Sequence, residues 1–423
     1  MAWSGDFTLA TRPRWQLRNS GESRITMSYL ETLKHPIIAR LSLIQLISYF
    51  GTWFSQVAIF SMLVEFGADE VMISLVAAMS MLPAVILAPM IGIIIDRFSF
   101  KKLMMVLLII EITMTLSFML INSLSSVWIL MLLIFIRSSA ASILFSAEMS
   151  LFPKIIRGEM LKNTNEIHSI IWSLCYASGM AVGGLATFYL GFDTAFLVDA
   201  LLYILALFIL FGLRLSLEQE VHRDTGWTML KEGFLYFVSR KKIIHLVLLH
   251  ASLGLTSFDA LVTLLADFSY KEIIAVPLAI GWMNATRAIA LTMGPFLISK
   301  VVNKYTLHYF FAAEGLFIIL WSQLQFDFYT GLVGLFGAGL LTTTLWSYTY
   351  LLIQEEIEPR FLGRVISYND MFFMLTNVLV ALFIGYGANW GLSLEQVTIV
   401  LGLGFIGTAI YYRWFQKHYF SAV

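Results

Sequence analysis

Charge is scarce in this chain. Only 13% of its 423 residues are Asp, Glu, Lys or Arg, against 59% hydrophobic, and the mean hydropathy is +0.82. A water-soluble globule of this length needs far more polar surface, so that class is excluded. Cysteine is almost absent. Cys175 stands alone, which leaves no disulfide framework and no thiolate metal site. No Cys/His metal spacing occurs, so no metal and no cofactor are expected. No Gly-x-x-x-x-Gly-Lys-Ser/Thr segment occurs either, so ATP-driven work by this chain is not expected, and no enzyme site is visible. Lys and Arg together exactly balance Asp and Glu, 27 against 27, which gives nucleic-acid binding no support. The first 26 residues are polar and basic and lack the apolar core of a signal peptide. Met27 precedes Ser28-Tyr29-Leu30-Glu31, so residues 1–26 read either as a disordered tail or as an over-extended start.

Long apolar runs fill the rest. Spanning a hydrocarbon core of ~30 Å takes about 20 apolar residues per helix. Twelve stretches qualify: 42–64, 71–95, 103–121, 126–147, 166–190, 194–213, 243–266, 275–299, 306–325, 329–353, 365–388 and 395–415. They are too long and too continuously apolar for the alternation of a membrane β-barrel. The expected fold is therefore all-α, integral to the membrane, with twelve transmembrane helices.

The basic residues are partitioned between alternate loops. Twenty-four of the 27 Lys and Arg fall in the tail and in every second loop, among them Arg97, Lys101 and Lys102, Lys154 and Arg157, Lys300 and Lys304, and Arg360 and Arg364. The opposite loops hold only Lys271, while Arg137 and Arg287 lie inside spans. The positive-inside rule then places both termini in the cytoplasm, as expected of a multi-pass protein of a plasma (inner) membrane.

The longest polar gap divides the spans six and six. The expected layout is a cytoplasmic tail over 1–41, a six-helix bundle over 42–213, a central loop over 214–242, a second bundle over 243–415 and a short tail over 416–423. Pro89 and Pro295 are 206 residues apart, and so are Pro153 and Pro359, in a chain with only eight prolines. Both pairs fall at matching places in the two halves, late in the second span and in the loop after the fourth. An internal repeat of this kind is a known build for carriers, with the solute site between the halves near mid-membrane. The central loop mixes aromatics (Trp227, Phe234, Tyr236 and Phe237) with Arg240, Lys241 and Lys242, which suits a short helix lying at the membrane surface.

Between the second and third spans runs Gly92-Ile-Ile-Ile-Asp96-Arg97-Phe-Ser-Phe-Lys101-Lys102. This charged turn resembles the signature loop of the major facilitator superfamily, in which Gly92, Asp96, Arg97, Lys101 and Lys102 match; Ser99 stands where a glycine is usual and Phe100 replaces a basic residue. A narrower likeness is to the branch of the enterobactin exporter and the macrolide efflux proteins. It is carried by Leu82-Pro83 through Asp96-Arg97, by Leu230-Lys-Glu-Gly233, and by Glu358-Pro-Arg-Phe-Leu-Gly-Arg-Val365. The resemblance implies two pseudo-symmetric six-helix bundles in the major facilitator fold. Gly179, Gly183 and Gly184 resemble the helix-packing motif of superfamily exporters, with Met180 in place of its usual proline. Members of the branch often carry Gly-Asp-Trp in the first span; this chain has Gly51-Thr52-Trp53, so the most expected titrating acid is missing.

Several polar residues stand out. Asp96, on a tight turn, can face the positive end of a neighbouring helix or pair with an arginine in one conformation only, a latch for a cytoplasmic gate; a solvated turn is the plainer reading. A bare arginine in hydrocarbon costs at least ~2.5–3.5 kcal/mol, so Arg137 and Arg287 should face the bundle interior or water. Arg137 reads as a cavity charge or as one partner of a structural ion pair. Asp259 in the seventh span is the favoured proton carrier, with Arg287 opposite it. Weaker candidates are Gln56, His250, whose imidazole could titrate near neutral pH, and Glu314. Glu65, Asp199 and Asp267 read as solvated residues at the outer membrane edge.

The expected function is secondary transport: export of an amphipathic organic solute, of drug or siderophore type, by alternating access with proton antiport. The expected partners are lipid, solute and protons, in a monomer. An importer, a carrier of lipids or metal chelates, and a transporter-like sensor that moves no solute are the alternatives.

Overall fold

The computed structural model describes residues 29–213 and 226–420, leaving aside the side chains of residues 226–230, Asp96 and Pro359. The described chain is helical, with no strand. A short α1 (Tyr29–Thr32) leads into α2 (Pro36–Glu65), α3 (Glu70–Arg97), α4 (Phe100–Phe118), α5 (Val127–Ile155) and α6 (Gly158–Phe211). After the central gap come α7 (Gly226–Ser239), α8 (Lys241–Ala251), α9 (Asp259–Leu264), α10 (Val276–Ile298), α11 (Leu307–Leu324), α12 (Phe328–Leu340), α13 (Thr342–Glu356), α14 (Leu362–Asn389) and α15 (Leu394–Tyr419). Nine helical segments among the described residues are long and apolar enough to cross a membrane by length and composition. Each of the twelve expected apolar stretches lies on helix. The difference in count arises partly in α6, whose 54 residues form one run although Gly191 adopts a left-handed φ of 81°. That glycine separates the stretches expected at 166–190 and 194–213, and a side chain there would strain the turn.

Local chemistry sets the helix ends. The Asp69 carboxylate accepts from the Met72 amide at 2.7 Å and starts α3. Asp327 does the same for α12 through Tyr329 and Thr330, and Ser393 with Gln396 forms a capping box on α15. Each cap satisfies amides that a helix start leaves unpaired. At the other end of the molecule, the Lys101 ammonium donates to the carbonyls of Phe211 and Leu213, both at 2.8 Å. Arg40 donates to Gly212 beside it. Two cations thus close the C-terminus of α6, where the helix dipole is negative.

The expected span over 243–266 is not one continuous α-helix. It breaks into α8, a 3₁₀ segment (Ser252–Thr256), α9 and a π-turn (Leu265–Ser269). The Ser252 and Thr256 hydroxyls turn back onto the carbonyls of Leu249 and Leu253, and the Arg287 side chain from α10 donates to the Thr256 carbonyl. Irregular backbone at membrane depth persists only where protein partners satisfy it. Pro153 also differs slightly from expectation, since it lies inside the last turns of α5 and not in the following loop.

The helices form two bundles. In the first, α2 packs along α6, α4 packs on both α5 and α6, and α3 lies on α5. In the second, α11 packs on α15 and α12, and α10 packs on α12. Two contacts dominate the seam between them, α3 with α14 and α6 with α10. The third helix of each bundle carries a fully buried acid aimed at the fourth: Glu111 of α4 toward Arg137 of α5, and Glu314 of α11 toward Thr342 of α13.

Candidate functional site

Close backbone contacts mark one end of the seam between the bundles. At the end bearing Asp69, Gly184 of α6 meets Gly281 of α10 so closely that a Cβ on Gly184 would stand 2.6 Å from the Pro277 carbonyl, and one on Gly281 would stand 2.8 Å from that of Met180. Gly385 of α14 is held against Ser74 and the Glu70 carbonyl of α3 at the same end. At the end bearing Lys101, the α6 and α10 pair separates around a groove of about 440 Å³, lined by Lys162, Glu166 and Ile170 of α6, Tyr29, and Phe296 of α10. Phe296 is 84% exposed. The α6–α10 pair therefore forms a wedge, in backbone contact near Asp69 and bordering a groove near Lys101.

Polar groups meet across the seam just inside the closed end. The Tyr176 hydroxyl of α6 lies 3.3 Å from Asn284 Oδ1 and 3.4 Å from Arg287 Nη1, both on α10. The Arg287 guanidinium also sits over the Phe258 ring at 5.0 Å. Arg287 and Asp259 are both only partly buried, and no ion pair joins them among the described residues. Arg287 instead spends its donors on the Thr256 carbonyl and Tyr176. Trp53 and Trp172 pack on Tyr176 with ring centroids 4.6 and 5.6 Å away. An aromatic wall therefore lies next to the Arg287 site.

Arg137 does something different. It is 5% exposed, inside the first bundle. Its Nη2 donates to Asp199 Oδ2 at 2.7 Å and Ser55 Oγ at 3.0 Å, with the Tyr203 hydroxyl at 3.3 Å. Its Nε lies 4.0 Å from Glu111 Oε2. This is a buried ion-pair network on three helices, beside a small cavity of about 30 Å³ that also touches Thr52 and Gln56. Asp199 corrects the expectation of a solvated edge residue: it is 0% exposed and ion-paired. Burying the Arg137 charge requires such a partner. Glu65 is exposed, and Asp267 is partly exposed and pairs with Lys271.

Gly51 fits the same network, because a Cβ there would collide with Asp199 Oδ1. Gly51→Ala is expected to cost about 1–3 kcal/mol of stability through overpacking, read as a lower thermal unfolding midpoint in detergent. A wild-type midpoint would show that Asp199 yields freely. Thr52 donates to the Ser48 carbonyl and meets the Tyr203 hydroxyl at 2.7 Å.

The other sequence candidates separate by role. Gly179 and Gly183 let α6 press onto the backbone of Phe50 and Phe54 in α2, while Gly184 serves the seam. His250 is fully buried, with Nδ1 2.8 Å from the Thr349 hydroxyl and its ring packed on Trp346 and Tyr350. Glu314 is fully buried and accepts from Thr342 at 2.6 Å. In the charged turn, Gly92, Arg97 and Lys102 are exposed, Lys101 caps α6, and the Asp96 side chain lies outside the described residues.

Two of the motif-bearing stretches pack on each other. The Arg364 side chain lies against Gly233 and pairs with Glu232 at 3.2 Å. Tyr236 stacks on Phe361 at 4.1 Å and its hydroxyl accepts from the Glu358 amide, and Arg240 pairs with Glu358. The helix expected in the central loop is α7, and it is fixed to the start of α14.

Sequence reasoning missed Glu111 and Glu148, which are 1% and 0% exposed, and Asp370 on α14. The signal was available: the rule that singled out Arg137 and Glu314 applies to every acid inside or beside an apolar span.

The match to known proteins is broad. The model for the Major Facilitator Superfamily matches residues 41–381. The chain belongs to this superfamily. Superfamily members are transporters, and this one is a multi-pass membrane protein. It is 23% identical over 379 residues to the uncharacterized MFS-type transporter YkuC of Bacillus subtilis (strain 168), covering 84% of this chain and 86% of that protein. Solved structures confirm the fold. The nucleoside transporter NupG superposes with a TM-score of 0.71 at 16% identity, over 90% of this chain and 99% of that one. A bacterial homolog of the human lysosomal transporter Spinster, in an inward-facing and occupied conformation, gives 0.69 at 14% identity, over 91% and 97%.

Proposed function

We propose that this superfamily member exports an amphipathic organic solute across a bacterial inner membrane by alternating access, coupled to proton antiport. The observation that carries the alternating-access reading is the wedge: one helix pair, α6 and α10, in backbone contact near Gly184 and Gly281 and parted around Phe296. A seam of that shape has a natural second arrangement, with the contact exchanged between ends. Along the sequence, 24 of the 27 Lys and Arg fall in the tails and in the alternate loops of the set that includes Lys101, which supports twelve crossings with both termini in the cytoplasm. The open end then faces the cytoplasm, the side from which an exporter loads. The resemblance to the enterobactin and macrolide branch supports export. The likeness to a nucleoside transporter supports an importer as the second reading.

Solute would bind in the seam among Arg287, Asp259, Tyr176 and the Trp53 and Trp172 rings. Asp259 is the coupling acid of this reading, because it is partly exposed and close enough to Arg287 to sense it. Asp259→Asn is expected to abolish accumulation against a gradient with expression unchanged. The measurement is solute movement in proteoliposomes under an imposed pH gradient, using a panel of organic solutes. Wild-type movement indifferent to the gradient would sink proton antiport, and accumulation toward the cytoplasmic side would favour import. Binding with no movement across the panel would favour the sensor.

A further inference from the structure

The first bundle holds more buried acid than its base can neutralise. Glu111, Glu148 and Asp199 are each 0–1% exposed, on three different helices. Among the described residues the one buried cation near them is Arg137, and it is committed to Asp199 at 2.7 Å. Glu148 lies eleven residues along α5 from Arg137, three turns away on the same face and about 16 Å distant at 1.5 Å per residue. No ion pair reaches it among the described residues.

The partners of Glu148 come from α2. Its Oε2 accepts from Tyr49 at 2.8 Å and from Gln45 Nε2 at 3.1 Å. Its Oε1 accepts nothing, and neither does Gln45 Oε1 beside it. Two donors and an unused oxygen surround a carboxyl with no neutralising charge. The other titratable groups facing this cluster are Glu111 of α4, which acts electrostatically on both Glu148 and Tyr49, and from α6 His168, whose ring lies 5.8 Å from that of Tyr49, and Cys175. None of them is a fixed cation.

We propose that the first bundle carries its own proton-exchange site, at which Glu148 gains and releases the proton while Gln45 and Tyr49 register its charge. The proposal deepens the antiport reading by adding a titrating group remote from Asp259. In uptake, a hydronium O–H bond breaks as the O–H bond at Glu148 Oε1 forms, leaving water; in release, the Glu148 O–H bond breaks and the proton returns to water as hydronium. The charged form holds α2 through two charge-assisted hydrogen bonds, which are about twice as strong as neutral ones. The neutral form loosens that grip. At the 206-residue offset of the repeat, Glu148 corresponds to Gln354, which carries no titratable group.

The test needs no solute. Infrared absorption of protonated carboxyls is recorded against pH for the full-length protein in lipid bilayers. Wild type is expected to show a titrating carboxylic component that Glu148→Gln removes and Asp259→Asn leaves in place. Tyr49→Phe keeps the acid and is expected to displace the midpoint of that component. A carboxylic titration unchanged in Glu148→Gln overturns the site. A midpoint unmoved by Tyr49→Phe overturns the role given to α2. A Glu148 component in a protein whose transport ignores the pH gradient supports this site and sinks antiport.

Discussion

Replacing Arg137 with methionine is expected to destabilise the protein by about 3–5 kcal/mol, the usual penalty for leaving a buried charge unpaired. Asp199 and Glu111 would then share an apolar interior with no cation. The readout is the thermal unfolding midpoint and the yield of monodisperse protein. Arg137→Met combined with Asp199→Leu is expected to recover most of the loss, because pair and charge leave together. A single variant as stable as wild type would mean that the contact at 2.7 Å between Arg137 and Asp199 contributes little. The prediction also separates the two sequence readings of Arg137. A cavity charge that binds solute would lose transport with little loss of stability, whereas a structural pair loses stability first.

Gly281→Val is expected to slow solute movement by opening the seam near Asp69. A Cβ at that position would stand 2.8 Å from the Met180 carbonyl and 3.1 Å from the Gly184 Cα, and backbone cannot move aside as a side chain can. Overpacking of this kind costs about 1–3 kcal/mol. Charged only to the arrangement closed near Asp69, that shifts the balance between open and closed states by roughly five- to 150-fold. Spin labels on α6 and α10 flanking the contact should report a longer distance, and solute movement should fall by a similar factor. Unchanged distances with unchanged transport would rule out this seam as the moving contact. Gly407 is a suitable control, because a Cβ there meets nothing within 4 Å.

The sequence carried the architecture well for a definite reason. A segment in hydrocarbon must satisfy its backbone internally, so apolar length alone announces each helix. Even the break at Gly191 falls between two expected stretches. The break between Ala251 and Asp259 was not legible, because its stability depends on an arginine 31 residues away donating to the Thr256 carbonyl. Lys101 shows the same limit. Read along the chain, it belongs to a gate motif; in space it caps α6, 110 residues later.

The candidate site was legible in residue type and not in partnership. Arg137, Arg287, Glu314 and His250 could be found by the cost of polarity in an apolar span. Which of them neutralise one another could not, because pairing depends on helix rotation and a one-third turn moves a side chain to another neighbour. Asp199 is the clearest case. Its position near the end of an apolar stretch reads as solvated, yet α6 turns it inward onto Arg137.

By itself, the sequence determined that this chain is a helical membrane carrier of the Major Facilitator Superfamily. Hydropathy, charge placement and a short signature are local properties, and local properties can be read in one dimension. Only the tertiary structure decided that the bundles touch at Gly184 and Gly281 and part at Phe296, that Arg137 is a buried structural cation, and that Glu148 is left without one. Those are statements about distances between helices, and Coulomb and packing energies depend on such distances rather than on order along the chain.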